Sequence, residues 1–405
     1  MNILLVQPYA LGSGHYDGYT KRMCEGFCQL GLPVTLITAA GTNSNWENQL
    51  PINHLAASNK DSRLIVNLSA AAYTSKFANR IVRRLRFVYT SWVVGKKSFQ
   101  LFSNKEHDIL HFVDCEPIVL AVLFWFFKKP ANVFLTVRVP YTIYKKSFWR
   151  YTYDPVRRFA VRRLFRSISV ITHSEPVKKS LLEHHMVLGN GVRVITLGVD
   201  SVLAPCNKND SRKVLNIADD KKVFGFFGNL IFHKGFDLAL ETWCLMQSNF
   251  ILLALVHTDN PEEEKRIKEY ITRNGSLDKK SIIKFGYATE QELALNISAC
   301  DAIILPYRKT FQGDSGIMSL ACSYKIPLIA SDCGLIGGAL KTYNLGILFE
   351  PESVQAFKAA IESFATMDAG SISAIQRSMA AYQEAHSWRE FARQHTMYYQ
   401  EIEHG

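Results

Sequence analysis

The sequence predicts an α/β protein built as two doubly wound parallel-sheet domains in tandem. Three observations carry this. Short β-branched runs alternate with longer helical patterns along the chain, which is how βαβ units read in sequence. Each half opens with an apolar run that passes into a glycine-bearing turn and then a helical pattern: "NILLVQP" into "YALGSG", and later "KVFGFFG" into "NLIFHKG". The length of 405 residues exceeds one ordinary core and suits two domains, each typically ~100–200 residues.

Taken in order, the expected strands of the first half are 2–8, 33–39, 108–113, 133–137, 169–174 and 193–199, with helices over 17–30 and much of 76–103. The stretch "GVDSVLAPCNKNDSRK" (198–213) loses the apolar period and holds a proline, so the boundary is placed there. The second half has strands at 222–228, 250–256, 281–287, 301–307 and 326–332, and helices near 235–247, 261–273, 289–298 and 315–324. A helical stretch over 373–403 ends the chain. The domains are therefore drawn as 1–200, 201–375 and a terminal helix over 376–405 that returns to the first domain. Ligands of doubly wound sheets bind beyond the carboxyl ends of the strands, so two facing domains imply a cleft between them.

Composition narrows the class. Hydrophobic residues make up 48% and charged residues 20%, which is globular. Eight cysteines are scattered without a CxxC pair, and Cys24 and Cys28 lie one helical turn apart, so buried thiols in a reducing compartment are expected. "MNILLVQPYA" lacks a basic n-region, and the longest apolar stretch, 117–127, has 11 residues where a membrane span needs ~20. The expected location is cytoplasmic.

The net charge of +11 is unevenly spread: residues 80–179 hold 20 Lys/Arg against 6 Asp/Glu. Arginines interleave with aromatics in "RIVRRLRF" (80–87) and "FWRYTYDPVRRFAVRRLFR" (148–166). An ordinary solvated helix face is the simpler account of such runs. Aromatics among the arginines favour an anionic membrane surface, each Lys/Arg contributing ~1 kcal/mol near it. Nucleic acid is not expected, because no recognisable binding motif accompanies the charge.

Three strand-to-helix turns carry the candidate chemistry. The first, "QPYALGSGHYDGY", presents Gly12, Gly14 and His15 but not the spacing of a dinucleotide fingerprint. The second, "FFGNLIFHKGFDLAL", offers Gly228, Asn229, His233 and Lys234, and a lysine there can neutralise a diphosphate as a point charge. In the third, Asp314-Ser315-Gly316 stands at a helix start, where Ser315 can cap while free amides face an anion. Singly, these read as turn chemistry, a surface lysine and a cap. Together they point to one phosphate-bearing ligand. His111, Asp114 and Glu116 in "HFVDCEP" could form a metal cluster, but a loop pair at the ligand side of the first domain or plain surface charge is the preferred reading, and no metal is assigned.

The order and spacing of "DILHFV", "LTVRVPY", "VITHSEPVKKSLLE", "VRVITLGVD", "FFGNLIFHKG", "KFGYATEQELALNISACDAIILPY", "SGIMSLACSYKIPLIASDCG" and "NLGILFEPES" resemble a family-4 (group 1) glycosyltransferase over nearly the whole chain. The resemblance implies the GT-B fold, two Rossmann-like domains, and retaining sugar transfer from a nucleotide-diphosphate sugar. No metal and no cofactor beyond the donor is implied. Taken with the basic aromatic surface of the first domain, the expected acceptor is a glycan or lipid-linked sugar, in polysaccharide or glycoconjugate synthesis, with the enzyme peripheral at the inner membrane face. By position, the donor would be held by Gly228, Asn229, Lys234, Asp314, Ser315 and Gly316. Gly12, Gly14, His15 and Arg138 fall on the acceptor side. Lys234 and His15 are the expected catalytic groups, and Asp301 is expected to be structural. The chain departs from the family where an arginine is replaced by Asn229, a histidine by Arg138, and the paired glutamates by Gln312 and Leu320. Two rival readings follow: a catalytically silent scaffold or sugar-binding protein, and a nucleotide-sugar epimerase.

Overall fold

The computed structural model describes residues 1–8, 15–39, 46, 49–56, 76–127, 132–138, 149–183, 191–199, 205–246, 249–311 and 315–404, with backbone only for 15–17, 76–84, 86, 149–154, 157 and 158. The chain forms two compact units, one of residues 1–197 with 388–405 and one of 198–387.

The first unit holds a seven-stranded sheet in the order β3-β2-β1-β4-β5-β6-β7. Its strands are β1 (Ile3–Gln7), β2 (Val34–Thr38), β3 (Asn53–Ala56), β4 (Ile109–Phe112), β5 (Val133–Val137), β6 (Ser169–Thr172) and β7 (Val192–Val194). All pairs are parallel. Parallel strands return through crossovers that cover the faces, which is why β1, β2, β4 and β5 read as continuous apolar runs. On one face the helices Lys76–Ser103, Pro117–Phe126 and Trp149–Phe165 pack Val94, Leu123 and Leu164 against Leu4, Leu110 and Leu135. On the other, the helices His15–Gln29 and Trp388–His404 pack Phe27, Phe391 and Tyr399 against Leu5, Ile109 and Phe134. The two helices meet at Gly26, where a Cβ would lie 2.3 Å from the Trp388 carbonyl oxygen. Glycine is what lets the backbones approach so closely.

A buried polar link pins the terminal helix. His111 of β4 is inaccessible, and its Nδ1 and Nε2 lie 2.5 Å from the Tyr399 hydroxyl and 2.8 Å from the Thr136 hydroxyl. His395 stacks on His111, 5.7 Å between centroids, and its Nδ1 donates to the Phe391 carbonyl. Burial holds both imidazoles below their ordinary pKa, His395 down to about 3.

The second unit holds a six-stranded parallel sheet in the order β10-β9-β8-β11-β12-β13. Its strands are β8 (Lys222–Asn229), β9 (Phe250–His257), β10 (Ser281–Phe285), β11 (Ala302–Leu305), β12 (Leu328–Ser331) and β13 (Gly346–Phe349). Separate apolar clusters fill its two faces, one around Phe227, Ile303 and Met379 and one around Phe224, Trp243 and Phe357. Asp301 is structural, as expected. Its carboxylate accepts from Arg212 and Lys208, each at 2.7 Å, and from the Val223 amide at 2.7 Å, tying the helix Lys208–Val214 to the start of β8. The eight cysteines are free thiols, with Cys24, Cys115, Cys300 and Cys322 buried.

The structure adds to the sequence reading the helices Trp149–Phe165, Glu175–Glu183, Gly334–Tyr343 and Val354–Ala365, and differs from it in further places. β3 and β13 were not expected, because both are edge strands covered on one side and neither presents an unbroken buried run. The apolar segment at 117 is the helix Pro117–Phe126. The terminal stretch is two helices. Ala369–Ala385 starts on the Asp368 cap and buries Ile375, Met379 and Tyr382 in the second unit. After His386 and Ser387, Trp388–His404 buries its own apolar stripe in the first. The compact units therefore divide at 197/198 and 387/388, where the sequence reading drew 200/201 and 375/376.

Asp301→Ala leaves the Arg212 guanidinium, 7% exposed, without its carboxylate. Breaking such a pair costs about 3 kcal/mol, and calorimetry should show the second unit melting earlier while the first is unchanged. For the buried histidines the folded state binds fewer protons than the unfolded chain. Their contribution is intact above pH ~6.5 and is lost as pH falls toward the depressed folded pKa, by up to ~1.4 kcal/mol per pH unit for each group. The melting temperature of the first unit should fall between pH 6.5 and 5, and His395→Leu should reduce that slope.

Candidate functional site

The strand order of the second sheet reverses at β8, which pairs with β9 on one side and β11 on the other. Beyond the carboxyl ends of β8 and β11 the connections depart toward opposite faces, leaving a crevice at the sheet edge. Of the sequence-predicted donor residues, Gly228 and Asn229 end β8, Lys234 belongs to the turn that follows it, and Ser315 and Gly316 start the helix that follows β11. Gln312, Gly313 and Asp314 lie outside the described residues.

After β8 the chain makes a 3-10 turn, Phe232–Lys234, then passes through Gly235 into the helix Phe236–Cys244. Gly235 has φ +66°, and a Cβ there would sit 2.0 Å from the Pro306 carbonyl oxygen, so only glycine fits. Arg308 braces this turn. It donates from Nε to the Phe232 carbonyl, lies over the Phe232 ring, and pairs with Asp237 and Glu352.

The turn presents Lys234. Its Nζ lies 5.9 Å from the centre of the Tyr307 ring, and a Cβ on Gly228 would approach it to 2.9 Å. Among the described residues it has no carboxylate partner, and burial alone lowers its pKa. A partly desolvated ammonium without a counter-ion is a site of positive potential directed at whatever occupies the crevice.

The third turn follows β11. Ser315 is buried and caps the helix Gly316–Tyr324, its Oγ accepting from the Met318 amide at 3.3 Å and meeting the Tyr307 hydroxyl at 3.1 Å. Tyr307 is itself 1% exposed, its phenol pushed up to about 12 by burial, and so bridges Ser315 and Lys234 as a neutral group. Among the described residues a Cβ on Gly316 would meet nothing within 4 Å, so the helix start has room at that position. The crevice thus joins an ammonium to the positive end of a helix. Leu320 packs against the apolar cluster of this face and offers no polar group.

Sequence reasoning did not single out His257 and Tyr287. His257 ends β9 and Tyr287 follows β10, and their rings stack 3.7 Å apart at the same carboxyl edge. Tyr287 is 77% exposed, which makes an aromatic surface beside the crevice of the kind on which a planar base stacks. The signal available in sequence was weak, an aromatic after each of two adjacent strands.

In the first unit the strand order reverses between β1 and β4. Gly12 and Gly14 lie outside the described residues, and His15 is the first residue of the helix His15–Gln29, with no side chain described. Arg138 follows β5, its guanidinium 4.5 Å from the centre of the Tyr19 ring. His173 donates from Nδ1 to the Ile195 carbonyl at 2.8 Å, so its Nε2 accepts from the Tyr19 hydroxyl at 3.0 Å. Tyr19 and His173, which sequence reasoning did not name, therefore set the floor beneath Arg138. His111 is spent on Tyr399 and Thr136 and faces no ligand. Among the described residues no three His, Cys, Asp or Glu side chains are placed to hold a metal ion.

Comparison with known proteins bears on the fold. Residues 207–392 match the sequence profile of the family described as glycosyl transferases group 1. No curated protein matches the chain in sequence. Among solved structures, the chain resembles a glycosyltransferase from Rickettsia africae at 18% identity and TM-score 0.71, covering 99% of this chain and 98% of that one. It resembles sucrose-phosphate synthase from Thermosynechococcus elongatus at 16% identity and TM-score 0.69, covering 99% and 98%. It also resembles HepE of Anabaena, solved in complex with UDP, at 14% identity and TM-score 0.70, covering 99% and 100%. At these identities the likeness establishes the fold. The chain is a two-sheet protein of the GT-B fold whose residues 207–392 match the profile of the glycosyl transferases of group 1.

Proposed function

We propose that this protein transfers a sugar from a nucleotide-diphosphate sugar to a glycan or lipid-linked acceptor, with retention and without a metal. The observation that carries the reading is Lys234, a partly buried ammonium with no carboxylate partner among the described residues, near the start of the helix Gly316–Tyr324. In this reading the diphosphate lies across that helix start, and Lys234 with the first-turn amides stabilises the negative charge that grows as the bond to the sugar breaks. The acceptor hydroxyl attacks on the face from which the nucleotide leaves. His257 and Tyr287 support the base, which suits the nucleotides bound by structural neighbours, UDP in HepE and ADP in starch synthase IV of Arabidopsis thaliana. Arg138 and His15 serve the acceptor side, His15 as the polar group nearest the reacting sugar.

Leu320 favours a second reading. A leucine packed into the core takes a position where the family resemblance places a ribose-binding glutamate, as a silent scaffold would tolerate. Detectable transfer from any nucleotide sugar eliminates that reading, and acceptor-dependent transfer separates the proposal from an epimerase.

The test is thermal stabilisation by UDP, GDP, ADP and CMP. One of them at 100 times its Kd should stabilise the second unit by ~2.7 kcal/mol, and Lys234→Ala should abolish the shift. With the matching donor, Lys234→Ala should lower kcat/KM by ~100- to 1,000-fold. Failure of every nucleotide to stabilise a folded protein would overturn the proposal. Tyr287→Ala should weaken nucleotide binding by about 1–3 kcal/mol through lost base stacking, read as a rise in Kd with kcat little changed.

A further inference from the structure

The first unit carries a face whose chemistry the transfer reaction does not use. The helices Lys76–Ser103, Pro117–Phe126 and Trp149–Phe165 connect β3 to β4, β4 to β5 and β5 to β6, which are successive crossovers onto the same face of the sheet. The middle helix packs against both neighbours. The helices that carry the two basic and aromatic stretches recognised in sequence, 80–87 and 148–166, therefore flank one short helix that contains no charged residue at all, "PIVLAVLFWF", the first of them touching it through Ser91, Trp92, Gly95 and Phe99.

That helix is not fully covered. Its inner side sends Val119, Leu120 and Leu123 into the core, but Trp125 is 83% exposed and Phe126 71%. Phe126 meets the edge of Trp92 from the preceding helix, 6.4 Å between centroids. On the following helix Val156 and Phe159, the latter 69% exposed, stand one turn apart, and the stripe continues into exposed Arg162, Arg163 and Arg166. A groove of about 400 Å³ beside Trp125 has apolar walls from Ala121, Phe124 and Leu164 and Arg163 at its side. By sequence the three helices hold 12 Lys/Arg and a single acid, Asp154.

Exposed tryptophan and phenylalanine in a contiguous surface mark an interaction site rather than scattered surface apolarity. The charge selects the occupant. A wholly apolar helix end between two arginine-rich helices matches the layering of an anionic bilayer, with acyl chains below a plane of phosphates. Nucleic acid would meet the arginines but would leave the Pro117–Phe126 helix with the Trp125 indole N–H as its one side-chain donor and the rest of its exposed apolar surface unused. Among the described residues no helix is long and apolar enough to cross a membrane, so the contact is with the surface.

We propose that this three-helix face docks on anionic lipid bilayers, Trp125 and Phe126 entering the interfacial layer while Arg162, Arg163 and the neighbouring arginines bind lipid phosphates. The proposal is independent of whether the protein transfers sugar.

The experiment is co-sedimentation of the full chain with vesicles of phosphatidylcholine alone or with 30% phosphatidylglycerol, a composition chosen as the probe. Binding should appear with the anionic vesicles only and decline as salt rises. Trp125→Ala with Phe126→Ala should weaken it at least ~10-fold, and Arg162→Glu with Arg163→Glu by ~25-fold or more, at ~5-fold per arginine removed. These side chains are exposed, so melting temperature should be unchanged. Trp125→Phe keeps an interfacial aromatic and should retain binding while losing part of the quenching by bromine-labelled acyl chains. Absence of anionic-vesicle binding, or binding that ignores both double variants, overturns the proposal. So does a shift from dimer to monomer in the Trp125→Ala, Phe126→Ala protein, because a second copy would then be the occupant.

Discussion

The arrangement of both units depends on one constraint of parallel sheets. A parallel strand can be followed only by a crossover, and crossovers of one hand send consecutive helices onto the same face until the strand order reverses. At the reversal the neighbouring connections part, and the backbone groups at the strand ends are left for a ligand. In the second unit that place lies between β8 and β11, where Lys234 and the helix Gly316–Tyr324 converge through Tyr307. In the first unit the same rule lines up three crossovers on one face and so concentrates its basic and apolar residues there.

The crevice of the second unit is held by groups that do not themselves bind anything. Gly235 turns the chain where any side chain would strike the Pro306 carbonyl, and Arg308 fastens the turn through the Phe232 carbonyl and two carboxylates. Among the described residues Arg308 has carboxylate partners and Lys234 has none, although the two belong to the same small region. That contrast separates the bracing cation from the one available to a ligand. Tyr307 completes the support, since its burial keeps the phenol neutral and able to meet Ser315 without competing for the anion.

The first unit relies on its last helix in a comparable way. Trp388–His404 supplies a large part of one face of the core, approaches the helix His15–Gln29 at Gly26, and is fastened to β4 through Tyr399 and His111. Neutral imidazoles do this work, which makes the attachment sensitive to acid. The same buried bonds take His111 out of any metal or ligand role.

By itself the sequence determined the strands that lie in the middle of each sheet, because burial on both faces demands long β-branched apolar runs, and it determined the helix starts that carry a cap or a glycine turn. Lys234 and Ser315 were legible for that reason, and so was the structural role of Asp301 ahead of β11. The edge strands Asn53–Ala56 and Gly346–Phe349 were not, since a half-covered strand leaves too weak a pattern. Nor was the division of the terminal stretch, where two amphipathic helices read as one until their stripes are seen to enter different cores. Only tertiary structure decided that Lys234 has no carboxylate partner among the described residues, that Leu320 is packing, that His257 and Tyr287 stack, and that Arg163 stands beside Trp125. Each of these is a contact between residues far apart in the chain, and local propensity carries no information about such pairs.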